Sequence, residues 1–255
     1  MKNLNKYIFM SALALLLFNL KTYAHDPLYG HGPHVLYQGG IAPGIVISSG
    51  LGFIVSRFEL EYGVTSSWTI AAEIPFNNRK NQWQLENYAI KSKYRFYTKF
   101  EPGAENEIAA LGSYEISNES GGINALNLGL TGGRESITFY WFASALYKIK
   151  FSPSSLKPGN EINYDFTVGY RPFEISYYKP DLVIFLEFLG KYRQKSILNS
   201  NMVDNSGGNS WAVAPTFMLT YHNYALRAGI EFGVADNGFI NKPRTNFRIG
   251  FEAHL

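Results

Sequence analysis

Residues 137–150 read ITFYWFASALYKIK, and in them Ile137, Phe139, Trp141, Ala143, Ala145, Tyr147 and Ile149 alternate with Thr138, Ser144, Lys148 and Lys150. A repeat of two belongs to an extended strand, whose successive side chains leave opposite faces, whereas a helix would spread these charges around its axis. The same alternation recurs on both sides of this stretch. Phe58, Leu60, Tyr62 and Val64 oppose Glu59 and Glu61, and Trp68, Ile70, Ala72, Ile74 and Phe76 oppose Thr69 and Glu73. Tyr88, Ile90, Tyr94 and Phe96 stand against Lys91, Lys93 and Arg95. Farther on, Leu226, Ala228, Ile230, Phe232 and Val234 oppose Arg227 and Glu231, and the terminal FRIGFEAHL sets Phe247, Ile249, Phe251, Ala253 and Leu255 against Arg248, Glu252 and His254.

Runs bounded by turn residues predict about twelve strands, with ten or fourteen also compatible, starting near positions 42, 53, 68, 84, 107, 123, 136, 162, 182, 210, 224 and 245. Several are longer than the five or six residues usual in globular sheets, and match the reach of about 9 to 11 residues that a membrane-crossing strand requires. No apolar run after Leu20 is long enough for a membrane helix. The expected fold is all-β, a single antiparallel transmembrane β-barrel; the alternative weighed against it is a soluble secreted β-sandwich. With both termini on the periplasmic side, the short connections Thr65 to Ser67, Gly132 to Glu135 and His222-Asn223 fall there, and the longer Asn77 to Gln82, Phe151 to Glu161, Ile197 to Asn209 and Asp236 to Pro243 fall outside. Gly50 to Gly52 is short for an outer loop and Pro172 to Pro180 long for an inner turn. Tyr62, Trp68, Phe100, Tyr147, Tyr170 and Trp211 lie where interfacial girdles need aromatics.

Ahead of the strands, Lys2 and Lys6 precede an apolar run ending at Leu20, and Thr22-Tyr23-Ala24 supplies a cleavage site, the pattern of a secretory signal peptide over residues 1–24. The net charge of +3 belongs to Lys2, Lys6 and Lys21; without them 20 basic residues face 20 acidic ones. A neutral chain argues against nucleic acid as a partner. The absence of cysteine removes disulfide scaffolds, thiolate metal sites and thiol catalysis. Residues 25–40 form an N-terminal segment, periplasmic or tucked into the pore, and residues 41–255 the outer-membrane barrel, whose expected partners are outer-membrane lipid, the barrel-assembly machinery and a small solute.

Three candidate chemistries follow. His25, Asp26, His31 and His34 lie within HDPLYGHGPH, and after cleavage the α-amine and imidazole of His25 would form a chelating pair for Cu or Zn, with Gly30, Gly32 and Pro33 letting the chain fold round an ion. Catalysis is not expected, since no Ser, His and acid converge in the sequence. The barrel lumen is the main candidate: Glu59, Glu61, Glu73, Lys91, Lys93, Arg95, Lys148, Arg227, Glu231, Arg248 and Glu252 fall on the inward face, where balanced charges line either a narrow solute path or a largely closed structural barrel.

Several blocks resemble a known family. HDPLYGHGPHVLYQGG (25–40), ELEYGVTSSWTIAAEIPF (59–76), KYRFYTKFEPGA (93–104), GRESITFYWFASALYK (133–148), PGNEINYDFTVGYRP (158–172) and the stretch from Asp204 to Leu255 are similar to Gram-negative outer-membrane barrels related to the family labelled for the MetA pathway of phenol degradation, often called transporter-like. The resemblance covers most of the chain after residue 24. It implies an outer-membrane barrel that takes up aromatic or other small compounds, and in relatives with the HDP…GPH opening a link to heavy-metal efflux. It brings no catalytic residues. The terminal Leu255 departs from the commoner final Phe of closing strands.

Overall fold

The computed structural model describes residues 26–50, 53–79, 82–153, 155–176, 178–237 and 245–255. The expected signal peptide and His25 lie outside them, as does most of the outer connection after Asp236. Sixteen strands form among the described residues: β1 (Ile41–Gly50), β2 (Phe53–Thr65), β3 (Trp68–Arg79), β4 (Gln82–Leu85), β5 (Tyr88–Glu101), β6 (Ala104–Ile116), β7 (Asn124–Ser136), β8 (Phe139–Phe151), β9 (Leu156–Lys157), β10 (Glu161–Tyr170), β11 (Asp181–Arg193), β12 (Ile197–Leu198), β13 (Asn201–Met202), β14 (Gly208–Tyr221), β15 (Tyr224–Asn237) and β16 (Thr245–Ala253). Twelve of them pair antiparallel in chain order, and β1 closes on β16, so the sheet is a closed barrel without a free edge. β4 extends one end of β3, and β9, β12 and β13 build a small separate sheet from two of the long connections.

The alternation in the sequence becomes an outside and an inside. Phe58, Leu60, Tyr62, Trp68, Ile70, Ile74, Trp141, Phe217 and Phe251 are all exposed on the outer wall, the surface that lipid covers. Tyr62, Trp68, Tyr147, Tyr170 and Trp211, assigned to the girdles, are exposed there too, whereas Phe100, also exposed, pairs with Glu105 on the other face of the sheet. Ladder irregularities between Gly63 and Thr65 and between Arg95 and Tyr97 shift the parity. That is why Phe96 and Tyr97, neighbours in sequence, are both exposed.

Two readings need correction. Gly132 to Glu135 is not a turn but part of β7, and the turn falls at Ile137-Thr138. Gly133 is there for close approach: a Cβ would run into the Phe142 ring and the Trp141 carbonyl. The inner face is also not polar throughout. Tyr140, Phe142, Val183, Phe185 and Met218, from β8, β11 and β14, form a buried apolar cluster inside the barrel, toward the end with the short turns. Arg171 seals its edge, with its guanidinium 4.9 Å from the Tyr140 ring centre and its Nε 2.9 Å from Asp181.

Candidate functional site

The site is built on the fifteen residues before β1. Residues 37–40 cross the barrel's lower rim against β2, with Gly39 N–H donating to the Gly63 carbonyl (2.7 Å) and Gly63 N–H to the Gly40 carbonyl (2.9 Å). Tyr37 donates its hydroxyl to the carbonyl of Leu255, 2.5 Å away. Inside, Leu36 is buried and its N–H reaches Thr69 Oγ1 at 2.8 Å. The chain then runs round the inner wall. Thr131 of β7 donates to the His31 carbonyl (2.7 Å), and His31 meets Asp165 of β10 through its ring Nδ1 (3.2 Å). Tyr29 donates its hydroxyl to the backbone carbonyls of Gly229 (3.2 Å) and Asn246 (2.9 Å). Arg248 of β16 donates to the Leu28 carbonyl (2.9 Å), and Arg227 of β15 to that of Asp26 (3.3 Å). The segment expected in the periplasm or in the pore thus lies in the lumen, where its backbone groups find partners on the wall.

Its centre is Glu187 on β11, a fully buried carboxylate. It accepts the successive backbone N–H groups of Leu28 (3.0 Å), Tyr29 (2.9 Å) and Gly30 (2.7 Å), and the hydroxyl of Thr216 (2.8 Å). Consecutive N–H groups turned on one anion make a backbone nest, and four donors supply what a buried charge needs without a cation. The far end is held by a second cluster. Asp26 takes Lys93 Nζ at 2.5 Å and lies 3.4 Å from His34 Nδ1, while His34 Nε2 lies 3.2 Å from Glu135 and 3.6 Å from Glu107. Burial opposes charge on His34, but its hydrogen bonds to Asp26 and Glu135 outweigh it and push the imidazole up to about 10. For Asp26 burial acts upward, and Lys93 and His34 overcome it and hold the carboxyl well below its usual range.

Sequence reasoning placed the wall charges, and the structure gives each a neighbour. Lys91 bridges Glu59 (2.8 Å) and Glu73 (2.6 Å) across three strands. Lys93 turns to Asp26 and Arg95 to Glu107. Lys148 pairs with Glu115 (2.6 Å) and Arg227 with Glu252 (2.5 Å). Glu61 lies beside Glu59, Glu252, Lys93 and Asp26 in the same cluster. Glu231 and Arg248 line a cavity of about 560 Å³ at the end with the long connections, floored by Tyr29 and His31. Of the proposed metal ligands, His31 and His34 turn to different carboxylates, and no group of three or more ligating residues with metal geometry occurs among the described residues. Gly30 and Gly32 let the backbone approach acids: a Cβ would meet Asp165 at the first and Asp26 at the second. Glu187, Asp165, Glu107 and Glu135 went unread. The available signal for Glu187 was a lone carboxylate in the apolar run LVIFLEFLG.

No family model and no curated protein matches the chain. Solved structures do. The COG4313 outer membrane channel from Pseudomonas putida F1 aligns with a TM-score of 0.64 at 10% identity, over 91% of this chain and 100% of that one. The NanC porin aligns at 0.55 and 13% identity, over 84% and 100%. The chain has the fold of these outer-membrane barrels, and its own ring closes through twelve strands.

Proposed function

We propose that the protein is an outer-membrane channel for a small solute, closed in this conformation by its own residues 26–36. The observation that carries this reading is the nature of the closure. The occluding segment is not part of the sheet; it is joined covalently at Ile41 and otherwise tied to the wall mainly by hydrogen bonds and ion pairs. Such a segment can leave while the ladder stays intact, which wall side chains filling the lumen could not do. The two channel folds are consistent with passive passage, and the resemblance to transporter-like barrels of phenol degradation suggests a small, aromatic compound. His31 and His34 act in this reading as ties to the wall.

Single-channel recording in planar bilayers tests it. The protein beginning at residue 25 is expected to open rarely, and a variant lacking residues 26–36 to conduct steadily. A deletion variant that shifts on boiling in gels, and so is folded, yet stays silent would overturn the reading. The buried Tyr140, Phe142, Val183, Phe185 and Met218 cluster favours the second reading, a largely closed structural barrel, and that silent result would select it.

A further inference from the structure

We propose that the cavity above residues 26–36 is a binding site for small organic monocarboxylates, with Arg248 as its anchor. If solutes cross this barrel they meet this cavity first, so the solute class depends on the channel reading, and binding is measured apart from conduction. Inward cations elsewhere have carboxylate partners: Arg57 lies 3.8 Å from Glu73, Lys91 bridges Glu59 and Glu73, Lys93 meets Asp26, Lys148 meets Glu115 and Arg227 meets Glu252. Arg248 has no ion pair among the described residues. Its Nη1 donates to the Leu28 carbonyl, its Cζ sits 4.1 Å from the Tyr29 ring centre, and its Nε is buried without an acceptor. A planar guanidinium stacked on an aromatic ring, with donors to spare, is preorganised for the two oxygens of a carboxylate.

The surroundings narrow the class. Lys191 is in the lining but lies 4.0 Å from Glu161, and Arg57 reaches Ser48, the cross-strand neighbour of Arg248. Against them stand Asp165, Glu231 and Asp236, of which Asp165 is occupied by Ser144 and His31. One carboxylate fits the guanidinium; a second negative group would face Glu231 and Asp236 across the same space. The volume of about 560 Å³ has room for an aromatic ring beside Tyr29.

Calorimetric titration of the folded protein in detergent with sodium benzoate tests the site. Saturable binding is expected, with Arg248→Met at least tenfold weaker and phthalate, a dianion of similar shape, at least tenfold weaker than benzoate. Arg248→Lys keeps the charge but loses the fork; it is also expected to weaken binding, and it serves if the methionine variant does not fold. Undiminished benzoate affinity in a folded Arg248 variant, or phthalate binding as tight as benzoate, would overturn the proposal. Binding with the expected pattern in a barrel that never conducts leaves the site standing and removes the channel. Conduction without benzoate binding does the reverse.

Discussion

Glu187 Oε2 accepts the Gly30 N–H at 2.7 Å, so a carboxylate in the middle of a wall strand holds a backbone amide from a segment 157 residues earlier in the chain. Glu187→Gln keeps the shape but replaces one acceptor oxygen by a donor that faces other donors. Hydrogen bonds to a charged group contribute about 1.5–3 kcal/mol each, so the exchange is expected to weaken the closure by about 2–4 kcal/mol. Proteolysis within residues 26–36 should accelerate and channel openings become frequent, with boiling still shifting gel mobility.

Gly63 marks where the segment crosses the rim. A Cβ there would collide with the backbone carbonyl of Tyr37, which cannot rotate away. Gly63→Ala is expected to cost about 1–3 kcal/mol, the range for forced overpacking, and to loosen residues 37–40 first. Hydrogen exchange of the Gly39 and Gly63 amides reads this directly; unchanged protection in both would refute it.

The His34 cluster sets a pH dependence with a definite sign. Its folded value, about 10, lies above the ordinary 6.5, so the stabilisation is complete below about 6.5 and is lost as pH rises through 10. Open probability is expected to climb between pH 7 and 10. His34→Gln should flatten that climb, leaving a closure that is weaker at pH 7 and nearly independent of pH above it.

Phe142 is wholly buried in the interior cluster. Phe142→Ala should cost about 3–5 kcal/mol, as large-to-small core changes do, visible as a lower temperature for the gel-mobility transition. Benzoate affinity should be unaffected, because the Arg248 cavity is at the other end of the lumen.

The strand order, the closed barrel and the wall charges were legible because period-two alternation survives wherever one face meets lipid and the other carries charge. It failed where both faces are apolar. In DLVIFLEFLG the inward Val183 and Phe185 are as apolar as the outward Ile184 and Leu186, so nothing marked the parity of Glu187. Gly132-Gly133 misled for a related reason: glycine signals a turn in sequence and close packing in space, and only Phe142 against Gly133 decides between them. The path of residues 26–36 was out of reach, since it depends on partners up to 220 residues away.

That span in sequence has a kinetic meaning. Leu28 finds Arg248, and Tyr29 the backbone of Asn246, only once β16 is in place. Residues near the start of the chain therefore complete their set of contacts only with its last strand, although Glu187 on β11 can hold Leu28 and Tyr29 without it. Until the terminal strand zips onto β1 the lumen has an open side, and afterwards the segment serves as a latch on a finished ring. The last ties of the segment and the closing of the ring thus depend on one and the same strand.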